Sequence, residues 1–124
     1  MICGSEVGSH GCRTLREILE YRAETPPKKL FVLFDDTDGE TTSHSYAEFD
    51  KSVNRTARML QALGIGSGDK VNLHLSNCIE FLLLWFAAAK IGAIIMPTNV
   101  AATADELEYL IDHSECRMIF TQSG

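Results

Sequence analysis

The clearest pattern of hydrophobic and polar positions lies between Asp69 and Asn99. Residues 71–75 alternate apolar and polar side chains after a glycine-rich turn, which predicts a β-strand. Residues 78–91 are almost continuously apolar and are followed by a glycine, which predicts a helix. Residues 93–96 form a short apolar run before a proline, a pattern that predicts a strand buried on both faces. Together these segments predict a parallel β–α–β crossover unit.

The predicted helix of this unit is apolar on all sides, whereas an ordinary amphipathic surface helix has a polar side that faces solvent. Asn77 stands three residues before Glu80, the spacing of a capping pair, and this predicts Asn77 as the N-cap. Beyond the first helical residue, only Glu80 and Lys90 are polar. An exposed back would forfeit about 1.5–3 kcal/mol for each large apolar side chain. The rest of the chain can cover one side of this helix, so we expect the chain to belong to something larger.

Capping residues and apolar spacing predict further elements on either side of this unit. The first is a helix capped by Thr14 and stopped by Pro26 and Pro27, and the next is an Asp-Gly hairpin of residues 30–34 and 41–44. Then come a helix capped by Ser45 and closed by Gly64, a helix capped by Thr103 with His113 in its last turn, and a strand at residues 117–121. The buried side of the last helix is expected to consist of Leu107, Tyr109, Leu110 and Ile111. This order predicts an α/β fold: a partial doubly wound sheet with a parallel core of at least three strands, helices on both faces and an N-terminal hairpin.

The composition indicates a globular protein and argues against two classes of partner. Apolar residues make up 45% of the 124 residues, which is enough for a small core. The formal net charge of -6 provides no basic surface for nucleic acid or for an anionic membrane. Glu80 and Lys90 interrupt the apolar stretch and Pro97 ends it, so we expect no membrane span. A cytoplasmic location is expected because the cysteines lack paired spacing: Cys3, Cys12, Cys78 and Cys116.

Two apparent ligand-binding motifs have a simpler structural interpretation. Gly64, Gly66 and Gly68 resemble a phosphate-binding turn, but they follow a helix and precede a strand, the reverse of the required order. We interpret them as a helix stop. Residues 36–39 resemble part of a calcium loop but lack carboxylates at the positions that begin and end such a loop. We interpret them as a solvated turn.

No constellation of catalytic or metal-binding residues follows from spacing alone. Cys3, His10 and Cys12 can ligate a metal, but a fourth ligand at zinc spacing is missing from the sequence. The other histidines lie on separate predicted elements: His44, His74 and His113. Cys78 and Cys116 are interpreted as small buried apolar residues. We therefore predict no catalytic, cofactor-binding or metal-binding residue in this chain.

Four short motifs together resemble the opening of the AMP-forming acyl-CoA synthetases, the adenylate-forming or AMP-binding superfamily. In chain order they are SYAEF at residues 45–49, GDKV at residues 68–71, Asn77 with Glu80 and Phe81, and AKIGA at residues 89–93 followed by Pro97 and Asn99. The first and the last are similar to the two opening core motifs of the family. Within the family, residues 54–57, 63–65, 73–75 and 85–86 most resemble the crotonobetaine/carnitine-CoA ligase group. The resemblance covers about residues 15–122.

The resemblance implies an ATP-dependent carboxylate–CoA ligase, possibly acting in its complete form on crotonobetaine- or carnitine-type acids, with ATP, Mg and coenzyme A as its cofactors. The family's phosphate loop, ribose-binding aspartate and C-terminal lysine match no residue here, so none is carried over. Residues 14–124 are therefore expected to be an N-terminal subdomain fragment of an AMP-binding domain, preceded by a flexible tail at residues 1–13. We expect this scaffold to be inactive alone and to have the remainder of the domain as its partner. Isolated, it should self-associate through residues 82–89 and its unpaired sheet edges.

Two other interpretations stay open. The first is a stand-alone flavodoxin-like module that binds a small molecule at the carboxyl ends of its strands. The turns after Leu75 and Met96 would line that pocket. Its polar groups would be Asn77, Thr98 and Asn99. The second is a membrane-associated or purely structural protein, which the charges within the apolar stretch disfavour.

Overall fold

The computed structural model describes residues 14–26 and 28–123. Its elements are α1 (Leu15–Glu24), β1 (Leu30–Asp35), β2 (Thr41–Ser45), α2 (Tyr46–Ala62), β3 (Lys70–His74), α3 (Ile79–Ile91), β4 (Ile94–Pro97), α4 (Ala104–Ser114) and β5 (Met118–Thr121). Their order and type are those that the sequence predicts. The expected tail at residues 1–13 lies outside the described residues, together with Cys3, His10 and Cys12, which we do not predict to bind a metal.

The strand order β4–β3–β5 places β3 at the centre of a parallel sheet. The chain leaves β3 toward one side to form β4 and then crosses back over β3 to form β5. Because such crossovers are right-handed, α3 and α4 must cover opposite faces of the sheet. This arrangement confirms the doubly wound α/β fold with a parallel core of three strands. β1 and β2 form a separate antiparallel hairpin, also as predicted.

The main core lies between one face of this sheet and the α1, α2 and α3 helices. Val71 and Leu73 point from β3 into the core and are fully buried. On the other side, α2 contributes the fully buried Phe49, Val53 and Leu60. These three residues follow the apolar stripe of the α2 sequence, so the amphipathic pattern determines which side of the helix faces the sheet.

A cluster of phenylalanine rings fastens the hairpin to the helical layer. Phe49 of α2 meets Phe86 of α3 edge to face, with ring centroids 5.4 Å apart. Phe31 of β1 contacts both, at 5.0 Å from Phe49 and 6.0 Å from Phe86. Edge-to-face pairs add stabilisation beyond the area that they bury, so this cluster holds together elements far apart in sequence.

Three predicted N-caps are confirmed, and one is wrong. Each confirmed cap accepts a hydrogen bond from the amide three residues on: Thr14, Ser45 and Thr103. The N-cap of α3 is Cys78, which makes no side-chain capping bond, whereas Asn77 lies outside the helix and is exposed. The helix begins one residue later than Asn77 would require, so its amide cannot serve as the capping group.

The prediction that residues 93–96 are buried on both faces is also wrong. β4 is an edge strand of the described sheet, and Ile94 is 47% exposed. The doubly covered strand is β3, where even the polar Asn72 is only 1% exposed. A short apolar run specifies a strand, but its burial depends on which strands lie beside it, and that depends on the topology.

α3 is covered more completely than its sequence predicts, because only Glu80 and Trp85 among its 13 residues are exposed. Leu84, Ala87 and Ala88 are buried against the core. Trp85 is 38% exposed, and its ring packs on that of Phe81 with centroids 5.6 Å apart. No helix within the described residues combines the length and apolar content needed to cross a membrane.

The expected burial of α4 is not observed. This helix, described along its whole length, has no buried residue. Tyr109 is 61% exposed and Leu110 is 42% exposed. The sheet face that α4 covers also carries Ile94 and Ile119, of which Ile119 is 39% exposed. The sequence of α4 is amphipathic as predicted, but the described residues supply too little apolar surface to bury its apolar side.

Lys90 joins three helices through its ammonium group, although its side chain is only 6% exposed. The Nζ atom donates to Asp50 and Asn54 of α2, with 2.8 Å between Nζ and Oδ1 of Asn54. It also lies 3.3 Å from Oε1 of Glu20 on α1. A buried ammonium is tolerated only when it is paired and hydrogen-bonded, and this site provides both.

Replacing Lys90 with methionine should lower the free energy of unfolding by about 3 kcal/mol, because Asp50 and Asn54 would lose the ammonium that they contact. Urea denaturation followed by circular dichroism measures the loss. Lys51→Met, at an exposed position of α2, is the matched control and should change stability by less than about 0.5 kcal/mol. Equal losses in the two variants would show that Lys90 does not anchor the helices.

Gly92 ends α3 in the left-handed region, at φ +77°, and a Cβ built there would lie 2.8 Å from the Ser67 hydroxyl. Gly92→Ala should therefore cost about 2–3 kcal/mol, from backbone strain and from this contact together. Gly39→Ala is the matched control, because Gly39 has φ +81° and no atom within 4 Å of its Cβ position. The control should lose about 1 kcal/mol. Thermal unfolding that shows the same loss in both variants would contradict a role for the close approach of Ser67.

Candidate functional site

A cavity of about 550 Å3 opens at the carboxyl ends of β3 and β5, and we call it the β3–β5 cleft. It is lined by Thr56, Met59, Leu75, Cys78, Glu80, Leu83, Leu84, Phe120, Thr121, Gln122 and Ser123. α2 and the first turns of α3 form its helical side, and the turn after β3 and the end of β5 form the rest. The parallel direction of the two strands brings these turns to one edge of the sheet.

A side-chain bridge holds the two turns of the cleft together. Oε1 of Gln122 accepts hydrogen bonds from the Ser76 amide, at 3.1 Å, and from the Ser76 hydroxyl, at 2.6 Å. These residues are 46 positions apart in the chain. The bridge therefore fixes the separation of the β3 and β5 ends, where regular ladder bonding stops.

A small polar network lies on the opposite face of the sheet, between β3 and the turn after β4. Nδ2 of Asn72 donates to the Met96 carbonyl at 3.0 Å, and the Thr98 hydroxyl lies 3.4 Å from the Asn72 amide group. Nδ1 of His74 is 2.9 Å from the same hydroxyl. Asn72 and Thr98 thereby satisfy polar groups in a covered position, so the network explains how a buried asparagine is tolerated in β3.

Cys78 lies on the wall of the cleft at the start of α3. Burial raises the pKa of its thiol above the usual value, and the Phe81 amide opposes this only in part. A raised pKa keeps the thiol protonated at neutral pH, which is the inert form. Cys78 and Cys116 are both half-buried, so the prediction that they are buried is wrong.

A second cavity, of about 580 Å3, lies beside the start of α4, where Asn99, Ala101, Ala102, Asp105, Glu106, Tyr109 and Leu110 line it. The predicted flavodoxin-like pocket joined the turn after Leu75 to the turn after Met96. The two turns line different cavities, because Leu75 lines the β3–β5 cleft and Asn99 lines the second cavity, whereas Thr98 belongs to the polar network with Asn72 and His74. The carboxyl end of β3 shares its cleft with β5, not with β4. Asn77 is exposed and lines neither cavity.

The other predicted features lie apart from both cavities. His44 is on β2, and His113 ends α4 with its ring 3.9 Å from the ring of Tyr109. The glycine-rich turn ends α2, with Gly64 at φ +86° and Gly68 at φ +82°, which confirms the helix-stop interpretation. Residues 36–39 form an exposed turn. Among the described residues, no group of three or more His, Cys, Asp or Glu side chains could hold a metal ion.

The sequence analysis did not predict the contacts of two polar side chains, Lys90 and Gln122. Lys90 carried a signal, since a single lysine within an apolar helix requires an acidic partner, and Asp50 and Asn54 lie one turn apart on α2. Gln122 carried none, because its contact with Ser76 depends on the strand order and not on any local pattern.

Comparison with known proteins matches residues 19–124 to the family of AMP-binding enzymes. The crotonobetaine/carnitine–CoA ligase of Salmonella paratyphi A is 36% identical over 113 residues, and the enzyme of the same name from Proteus mirabilis is 37% identical over 114 residues. The matches cover 91% and 92% of this chain, respectively. The chain spans 22% of the length of either relative.

Solved structures show the same relationship. The N-terminal domain of FACL13 from Mycobacterium tuberculosis superposes with a TM-score of 0.80 at 29% identity, over 89% of this chain and 27% of that one. A fatty acyl CoA synthetase from the same organism gives a TM-score of 0.79 at 30% identity, over 87% of this chain and 21% of that one. Sequence and fold agree over nearly the whole chain. The chain belongs to the AMP-binding enzyme family, whose acyl-CoA ligases it resembles throughout its described fold.

Proposed function

We propose that this chain forms scaffold of an ATP-dependent carboxylate–CoA ligase. The observation that carries the proposal is the family match over residues 19–124, with ligases as relatives over more than nine-tenths of the chain. In this reaction class a carboxylate oxygen attacks the α-phosphorus of ATP, and pyrophosphate leaves. The thiol of coenzyme A, having lost its proton to solvent, then attacks the acyl carbon of the acyl-adenylate; the acyl C–O bond of this mixed anhydride breaks, and AMP leaves with the bonding electrons.

Crotonobetaine- or carnitine-type acids are the proposed substrates. Support comes from the two relatives described above. Both are named crotonobetaine/carnitine–CoA ligase, and both match more than nine-tenths of this chain. The side chains that would shape an acyl pocket around such acids are not assigned to any residue here.

The described residues do not fit the metal of this reaction, because they offer no cluster of metal-ligating side chains. Binding of ATP, Mg and coenzyme A is therefore assigned to the remainder of the AMP-binding domain, which makes up most of the length of the relatives. Residues 14–124 contribute scaffold and are inactive alone. We assign the ligase to the cytoplasm because its cysteines lack paired spacing. We assign it no nucleic-acid partner because its net charge is acidic.

The partner of this scaffold is the rest of the domain, and exposed apolar side chains support the assignment. One group of them lies on α4 and on the sheet face beneath it: Ile94, Tyr109, Leu110 and Ile119. A second group lies on β1 and at the end of α2: Leu30, Leu33, Met59 and Leu63. Trp85 supplies a smaller exposed area on α3. The surface expected to drive self-association thus shifts from residues 82–89 toward α4 and the sheet edges. The comparisons give no support to a stand-alone flavodoxin-like module, which we do not propose.

A chimera tests the scaffold role directly. In it, this chain replaces the matched segment of the Proteus mirabilis ligase. We expect the chimera to catalyse carboxylate-dependent exchange of pyrophosphate into ATP, because the chain supplies the same fold. The 124-residue chain alone should show no exchange above background.

Two controls make the result specific. The ligase without its matched segment should be inactive, and the chimera with Lys51→Met should retain its exchange rate because that side chain is exposed. A folded chimera that exchanges with no acid tested, or exchange by this chain alone, would contradict the scaffold proposal.

A further inference from the structure

The β3–β5 cleft lies at the point where the chain reverses its direction across the sheet. The connection from β3 leads to one side, and the connection from β4 crosses back to the other. In doubly wound folds this switch leaves a crevice outside the carboxyl ends of the two strands, because the helices depart to opposite faces. The cleft occupies this position between β3 and β5, so its location follows from the topology.

The floor of the cleft is apolar, and its size suits a small molecule. Leu75, Leu83, Leu84 and Phe120 line the cleft, and Met59 adds an apolar side chain from α2. Leu84 is only 6% exposed and closes the bottom. The volume of about 550 Å3 falls within the range of about 300–1,000 Å3 that is typical of ligand pockets. An apolar body of about eight carbons could lie along this floor and exclude water from it.

The polar groups at the rim favour one kind of head group. Glu80 is the one charged side chain among the described residues that line the cleft. The hydroxyl of Thr56 donates to the Ser52 carbonyl, and Oε1 of Gln122 already accepts from Ser76. The Glu80 carboxylate accepts a hydrogen bond from the Cys78 thiol, but a carboxylate has further lone pairs and keeps its negative charge, so it can also receive an ammonium. An anion would meet this carboxylate without a cation nearby in the lining.

We propose that the β3–β5 cleft binds small amphiphiles that have an apolar body and an amine head, with the body on the leucine floor and the ammonium at Glu80. This binding goes beyond the ligase scaffold role and does not depend on it. The volume and lining select the body, and charge complementarity selects the head.

Three probes that share one apolar body separate these contributions: 1-octylamine, 1-octanol and octanoate. Each is titrated into the 15N-labelled 124-residue chain carrying Tyr109→Lys and Leu110→Lys, two changes outside the cleft that reduce self-association through α4, and amide shifts are followed by NMR. We expect shifts at Leu75, Leu83 and Phe120, with octylamine binding most tightly, octanol less tightly and octanoate least. Equal affinities for the three, or shifts confined to α4, would overturn the proposal.

Paired variants test the cleft without disturbing the core. Met59→Trp should weaken all three probes by about tenfold, because the indole fills the cleft. Leu63→Trp is its control, since Leu63 is exposed at the end of the same helix and does not line the cleft. Unchanged affinity in Met59→Trp, with its fold intact by NMR, would overturn the assigned site.

The charge at the rim is tested by Glu80→Gln. This variant should weaken octylamine by about two- to fivefold, leave octanol unchanged and strengthen octanoate. Glu108→Gln, an exposed position on α4 outside the cleft, should change none of the three. The proposed head-group preference fails if Glu80→Gln and Glu108→Gln weaken octylamine equally, since the effect would then come from net charge alone. Neither result bears on the chimera, so the ligase proposal stands or falls separately.

Discussion

The fold of this chain depends on how one ammonium group is neutralised inside an apolar helical layer. α3 can pack against both α1 and α2 only if Lys90 finds partners there, because an unpaired buried charge would cost several kcal/mol. Asp50 and Asn54 supply them from α2, and Glu20 adds a more exposed contact from α1. The apolar side chains provide the driving force for this packing, whereas the lysine determines which helices meet. The parallel unit of β3, α3 and β4 then has a fixed place on the rest of the chain.

Regular elements could be predicted because each had a local cause. The alternation in β3, the stripe on α2 and the glycine after α3 all act within a few residues, and the structure shows each element where expected. Burial could not be predicted as well. Ile94 is exposed and Asn72 is buried because β3, not β4, has a neighbour on each side. The exposure of α4 could not be predicted either. The pattern of a helix shows that it has an apolar side, but not whether another part of the protein packs on that side.

The family was recognisable from short motifs, but the cleft was not. Motifs such as residues 45–49 and 89–93 are contiguous, so they can be recognised without knowing the fold. The β3–β5 cleft joins Leu75 to Phe120, which meet only because β5 returns to the side of β3 away from β4. The flavodoxin-like alternative instead predicts that the turn after Met96 lines this pocket. The order of the strands, which local patterns do not specify, determines which turns line the cleft.

We propose that the apolar surface of α4 and the neighbouring strand edge is an interface with the rest of a larger domain. Sedimentation velocity of the isolated 124-residue chain, with a hydrophobic dye present, tests it most directly. We predict concentration-dependent association with bound dye, and a marked reduction of both by the double variant Tyr109→Lys and Leu110→Lys. A monodisperse monomer that binds no dye at any concentration would contradict the claim.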